Sequence, residues 1–117
     1  MREIKFRAWD KNYGEMIDWI SLQTNRISYE DQFGLFQNNE YIFMQFTGLK
    51  EKNGKEIYES DYLEDDWCVF WGSGKYILHN ISTGDIIDCN EQNTQTKSIT
   101  GNRYESPREH KAMETDL

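Results

Sequence analysis

Ile4, Phe6 and Ala8 alternate with Lys5, Arg7 and Trp9, a period of two that predicts a strand with one face buried. Asp10-Lys11-Asn12-Tyr13-Gly14 is a turn cluster. The apolar run from Met16 to Leu22, with Trp19 and Ile20 inside it, predicts the return strand. The first twenty-two residues therefore read as a hairpin, broken at Thr24-Asn25. Residues 26–40 carry weaker signals: Ile27-Ser28-Tyr29 reads as a short strand, Phe33-Gly34-Leu35-Phe36 as an apolar patch in a polar loop, and Gln37-Asn38-Asn39 as a turn. Tyr41 to Phe46 is a clear strand that enters the best-specified stretch of the chain.

That stretch is residues 44–61. Asn53-Gly54 supplies two residues that tolerate positive φ, so the chain reverses there. A two-residue loop would set Lys52 opposite Lys55 and Glu51 opposite Glu56, like charge on like charge. A three-residue loop with Gly54 as the left-handed bulge residue sets Glu51 opposite Lys55, Lys50 opposite Glu56 and Leu49 opposite Ile57. Each such pair contributes only about 0.2–1 kcal/mol, but all of them favour the same register, and the bulged hairpin is the expectation.

Beyond the hairpin, Tyr62-Leu63, Trp67 to Trp71, Lys75 to Asn80 and Ile86 to Cys89 read as short strands. Gly72-Ser73-Gly74 and Ser82-Thr83-Gly84-Asp85 join the last three. This meander, with the final segment, predicts a small SH3-like barrel. Asn90 to Ser98 reads as a polar loop. Ser106-Pro107-Arg108-Glu109 has an N-cap serine, proline at the first helical position and glutamate three residues after the cap, which predicts a short C-terminal helix ending near Met113.

Composition narrows the function classes. The 117 residues suffice for one core, and seventeen aromatics supply large buried areas. Thirteen Lys and Arg against 21 Asp and Glu give a net charge of −8, with no basic run, so direct binding to a nucleic-acid backbone is disfavoured. No apolar span of membrane length and no secretory pattern stand in the sequence, and two cysteines, Cys68 and Cys89, are too few for a disulfide framework. The expectation is a cytoplasmic protein with reduced thiols, with a Cys68–Cys89 bridge as the alternative. Two cysteines without CxxC or HxxxH spacing give no zinc site.

The hairpin also carries a resemblance. Thr47-Gly48-Leu49-Lys50-Glu51-Lys52-Asn53-Gly54-Lys55-Glu56-Ile57-Tyr58-Glu59-Ser60-Asp61 resembles the central motif of the YopX family of phage and prophage proteins. Phe6-Arg7-Ala8-Trp9-Asp10-Lys11 is similar to the family's opening, and Ile99-Thr100-Gly101-Asn102-Arg103-Tyr104-Glu105-Ser106-Pro107 to its closing segment. Ser60 stands where the family usually has glycine, Tyr62-Leu63 where it has aliphatic residues, and Arg103 where an aliphatic residue is common. The resemblance implies a phage-related accessory protein of a bacterial host cell, and the family offers no catalytic residues to carry over.

The candidate chemistry is sparse. Glu59, Asp61, Glu64, Asp65 and Asp66 place five carboxylates in eight residues. Such density can attract Ca²⁺ or Mg²⁺, but EF-hand spacing and its central glycine are missing, and a solvated loop is the plain reading. The same acids could form a contact surface or mimic a phosphate track. His79 shares strand parity with Ile77 and Ile81, which predicts a hydrogen-bonded, half-buried imidazole, and His110 reads as a helix-surface residue. Neither stands in a nucleophile motif. Tyr58, Tyr62, Trp67, Trp71 and Tyr76 cluster around the proposed barrel as core or as one wall of a ligand groove. Gly72-Ser73-Gly74 lacks the pattern of a phosphate loop.

The whole reads as one mainly β domain, with residues 1–46 as an N-terminal β portion and residues 47–117 as the hairpin, small barrel and terminal helix. The expected function is a non-catalytic binding module for a host or phage protein. Glu59, Asp61, Glu64, Asp65, Asp66, Trp67 and Trp71 are the candidate contacts, with no catalytic, cofactor or metal residues. The competing readings are an acidic nucleic-acid mimic that blocks a host defence or DNA-handling enzyme and, behind it, a metal-dependent hydrolase using the 59–66 carboxylates. Homo-oligomerisation stays open.

Overall fold

A computed structural model describes residues 3–23 and 40–113. The readings made for Thr24 to Asn39 lie outside the described residues. The fold is mainly β, as the alternation predicts. β1 (Phe6–Asp10) and β2 (Glu15–Ile17) form the opening hairpin, with Ala8 opposite Ile17 and Asp10 opposite Glu15. The Asp10 carboxylate accepts the N–H groups of Asn12 and Tyr13 and so shapes the turn. The apolar run does not continue as a strand: the Asp18 carboxylate accepts the Ser21 N–H at 2.7 Å and starts a short helix, α1 (Trp19–Gln23). β3 (Tyr41–Lys50) lies on the other side of β1, and β4 (Glu56–Tyr58) pairs with β3. The first sheet thus has the order β2-β1-β3-β4.

The second sheet holds β5 (Asp61–Leu63), β6 (Trp67–Gly72), β7 (Lys75–Asn80), β8 (Ile86–Asp88) and β9 (Ile99–Asn102), in the order β8-β7-β6-β5-β9. It curls into half a barrel. β8 and β9 are its edges, and among the described residues no ladder joins them. The change of sheet falls between Tyr58 and Asp61, whereas a division at residue 46 cuts β3. The polar loop after β8 contains one helical turn, α2 (Glu91–Thr94), because Asn90 caps it by accepting the Asn93 N–H.

The central hairpin has the bulged turn that its charges predict. Glu51 donates its N–H to the Lys55 carbonyl at 2.9 Å, Lys50 stands opposite Glu56, and Gly54 lies at φ 84°. Farther from the turn the register departs from expectation. The next pair is Phe46 opposite Tyr58, so Leu49 is not paired with Ile57. Gly48, at φ 88°, kinks β3 there, and the Thr47 hydroxyl donates to the Ile57 carbonyl at 2.8 Å. Charge pairing governs the turn end only; the Thr-Gly bulge decides the rest. The kink lets Ile57 leave its own sheet and enter the core of the second.

That core is Ile57, Leu63, Val69, Tyr76 and Leu78, with Leu49, Trp67, Ile87, Cys89 and Ile99 packed around it. The opposite face of the second sheet buries Tyr62, Cys68 and Ile81 together with Phe70. Residues 103–106 form a turn, closed by the Ser106 N–H on the Asn102 carbonyl, and residues 107–111 run on across this face without the predicted C-terminal helix. A helix would have kept the Lys111 N–H for its own ladder; here it donates to the Ile81 carbonyl at 2.8 Å. Tertiary contacts override the capping signal.

Ser60 links the two sheets and adopts φ 72°, the left-handed backbone that glycine takes freely. Its N–H donates to the Val69 carbonyl and its carbonyl accepts from the Arg103 N–H, so the neighbouring strands hold it there. Ser60→Gly is expected to stabilise the protein by about 0.5–1 kcal/mol, because relief of the left-handed strain exceeds the extra entropy of glycine in the unfolded chain. Urea titration checks the sign; a loss of stability would mean that the serine side chain matters more than its φ.

Candidate functional site

The acidic run divides by position. Asp61 is 1% exposed on β5 and accepts from Arg7 Nη2 at 2.8 Å and from the Tyr58 N–H at 2.8 Å. Arg7 also donates to the Glu59 carbonyl at 3.1 Å and lies 5.0 Å from the centre of the Tyr58 ring. Burial raises the Asp61 carboxyl above its ordinary range, while the Arg7 charge and the two hydrogen bonds act the other way. The Glu59 carboxylate accepts the Gln45 N–H at 2.5 Å, tying the linker to β3.

Glu64 accepts from Lys52 Nζ at 2.8 Å and from the hydroxyl and N–H of Ser98, and these donors hold its carboxyl down at about 2. Asp66 accepts from the Ser82 hydroxyl at 2.7 Å and from Arg108 at 2.8 Å, and both hold it low. Asp65 and Asp66 form the β5–β6 turn at φ 68° and 70°, positions that Asn-Gly pairs usually fill. Of the five carboxylates only Asp65 is on an exposed residue. Among the described residues no three His, Cys, Asp or Glu side chains converge to hold a metal.

A sixth acid matters more to the hairpin than any of these. Glu51 is 3% exposed and accepts the N–H groups of Asn53, Lys55 and Ile99. Burial raises its carboxyl, and those three donors more than reverse the effect. Glu51 therefore ties the turn of the first sheet to β9 of the second. The charge-pair pattern places Glu51 opposite Lys55; its reach to Ile99 has no local signal in the sequence.

The aromatic candidates also separate. Trp67 is partly buried against the core. Trp71 is 54% exposed, with its ring edge-on to Tyr76 at 4.8 Å and 75°. The pair stands beside an open groove of ≈ 460 Å³, whose other walls include Leu49 of β3, Cys89, Asp88 and Glu91. Lys75 pairs with Asp88 at 2.6 Å on its rim, and the Tyr76 hydroxyl donates to Gln45 at 3.0 Å. A larger cleft of ≈ 580 Å³ lies between the first sheet and α1, lined by Trp19, Ile20, Lys5 and Arg7. Two of the cations lining it are committed: Lys5 is hydrogen-bonded to Glu56, and Arg7 to Asp61. The smaller groove presents the more exposed aromatic ring. Leu49, Tyr76, Cys89 and Glu91 come together there only through the packing of the two sheets.

His79 is 2% exposed and neither ring nitrogen has a hydrogen-bond partner, contrary to the expected hydrogen-bonded imidazole. His110 is half-buried rather than on a helix surface: its Nε2 lies 2.7 Å from the Tyr62 hydroxyl and its ring 6.1 Å from that of His79. Cys68 and Cys89 are free, and burial pushes both thiols up to about 12, which leaves them protonated and unreactive in the native protein.

Fold and site together define a mainly β protein of two sheets, joined by a buried Arg–Asp pair and a bulged hairpin, whose acids serve chiefly as internal hydrogen-bond acceptors. The YopX protein family matches over residues 5–109, and the chain belongs to that family. Its opening and central motifs meet in space at Arg7 and Asp61. The structure is similar to the crystal structure of protein EF1440 from Enterococcus faecalis, with a TM-score of 0.67 and 22% identity, over 92% of this chain and 97% of that one. That likeness concerns the fold. No curated protein matches the sequence. Among the described residues no helix is long and apolar enough to cross a membrane.

Proposed function

We propose that this YopX-type protein is a phage or prophage accessory factor that acts by binding a host or phage protein, without catalysis. The single observation that supports the reading is Trp71, more than half exposed and braced by Tyr76 beside an open groove. Tryptophan offers a large, rigid contact area and dominates the energetics of many interfaces. Asp88 and Glu91 on the groove, in a chain of net charge −8, favour a partner that presents a basic segment, whose cation can lie over the indole face.

The test begins with affinity purification from infected host cells and identification of the captured proteins by mass spectrometry. Affinity is then measured with the purified partner. Trp71→Ala is expected to weaken binding about tenfold or more, as for a hot-spot tryptophan, while the melting temperature stays unchanged within about 2 °C. Binding should also weaken as salt rises, because charges on the rim are screened. Unchanged affinity in Trp71→Ala would remove the groove from the interface.

A further inference from the structure

We infer that residues 103–111 form a releasable strap over the second sheet, and that His110 is the latch that lets it go when its imidazole takes up a proton. The strap is fixed at its start by the Arg103 N–H, which donates to the Ser60 carbonyl at 3.0 Å, and by the Asn102 side chain, which accepts the N–H groups of Tyr104 and Glu105. Arg108 pairs with Asp66 at 2.8 Å, but both side chains are around two-fifths exposed (44% and 39%), and exposed ion pairs contribute little. The Lys111 N–H donates to the Ile81 carbonyl at 2.8 Å, and Tyr104 stacks on Trp9 at 5.9 Å. Toward its end the segment is held by His110, set between the Tyr62 hydroxyl and the Phe70 ring, which it meets edge-on at 6.0 Å and 85°. The segment's own preference works against the docked state, since Ser106, Pro107 and Glu109 favour a helix that tertiary contacts prevent. Such conflict between local and global preference marks an element with a second accessible state.

The surroundings of His110 are built for a neutral ring. Arg103 lies over Phe70 at 5.1 Å and Arg108 over Tyr62 at 5.7 Å, so two guanidinium groups flank it. From β7 it faces His79, whose nitrogens have no partner, and β6 adds the Cys68 thiol to the same buried layer. From β5 it faces the Tyr62 phenol. Burial keeps both the phenol and that thiol protonated. Of the acids near the strap, Asp66 is engaged with Arg108 and Ser82 and Glu105 with Asn102, while Glu109 stands on an exposed residue.

A proton on His110 would therefore add a third positive charge beside the two guanidinium groups. Burial, followed by Arg103, His79 and Arg108, lowers the His110 pKa in the docked state. The sign follows: a base with a lowered pKa when docked binds its proton more readily once released. The strap is held fully above about pH 6.5 and loosens as the pH falls below it. Release uncovers Tyr62, Phe70, Cys68 and Ile81, an apolar face on the opposite side of the second sheet from its Ile57 core.

Amide hydrogen exchange on the full chain tests this at about pH 7.5 and about pH 5, with intrinsic exchange rates divided out. The protection of peptides spanning residues 104–113 is expected to fall about tenfold or more at the lower pH, while β1 and β3 keep theirs. His110→Gln, which keeps a hydrogen-bonding side chain, and His110→Phe, which keeps the ring, are both expected to abolish the pH dependence. Thermal melts confirm that the variants fold. Protection that changes less than about twofold across the range would overturn the proposal. A dependence that survives in both His110 variants, or that His79→Gln alone removes, would overturn the assignment of the latch.

Discussion

Arg7→Ala is expected to lower stability by about 3–5 kcal/mol at neutral pH, the cost of leaving a buried carboxylate without its cation. Asp61 is 1% exposed, and its remaining donor in that variant is the Tyr58 N–H. The loss should shrink in acid. Removing Arg7 deletes an interaction that lowers the Asp61 pKa, so the carboxyl of the folded variant titrates still higher than in the parent. A folded-state pKa raised further means that stability returns to the variant as the pH falls through it. Denaturant unfolding of both proteins at about pH 7 and about pH 4.5 reads the two numbers, each pH chosen to lie above or near the carboxylate range. A penalty below about 1 kcal/mol, the usual worth of an exposed pair, would show that the contact is solvated. Arg7→Lys should recover only part of the loss, because an ammonium cannot span Asp61 and the Glu59 carbonyl as the guanidinium does.

Ile57→Ala is the second large effect, at about 2–5 kcal/mol, with Ile57→Val costing about 0.5–1.5 kcal/mol. Ile57 is 0% exposed and belongs by hydrogen bonding to the first sheet but by packing to the second, among Leu63, Val69, Tyr76 and Leu78. Its truncation opens a cavity at the junction, where neither sheet can collapse without pulling on the Thr47 hydrogen bond to its carbonyl. The expected unfolding is a single transition, seen equally through circular dichroism and tryptophan fluorescence. Loss of coincidence in the alanine variant would show that Ile57 also couples the two sheets; a loss under about 1 kcal/mol would show that the junction is loosely packed.

The two effects differ in how readily the chain announces them. Alternation around Phe6, Ala8 and Trp9, the Asn53-Gly54 turn and the Gly72-Ser73-Gly74 turn are local signals, and each places its element where it is found. Local signals fail where a residue several elements away competes. Ser106-Pro107-Arg108-Glu109 has every mark of a helix start, yet contacts with Asp66, Ile81 and Tyr62 hold the segment in a non-helical course. Asp18 stopped a strand that apolar content favoured, through one hydrogen bond to Ser21. The run 59–66 looks like a single acidic surface because its charges are adjacent in sequence; strand alternation and the turn at Asp65-Asp66 send the carboxylates to different partners.

By itself the sequence determined the mainly β class, the order of the strands along the chain, the turn of the central hairpin and the family. All of these rest on period-two burial, on residues that accept positive φ, and on motifs read in line. The tertiary structure alone decided which strands share a sheet, that Arg7 and Asp61 form one buried pair, that Trp71 faces a groove, and that His110 sits on Tyr62 and beside His79. These depend on contacts between residues about fifty positions apart or on which face of a strand meets another layer. Local backbone preference carries no information about either, because the free energy that selects them appears only when the layers pack.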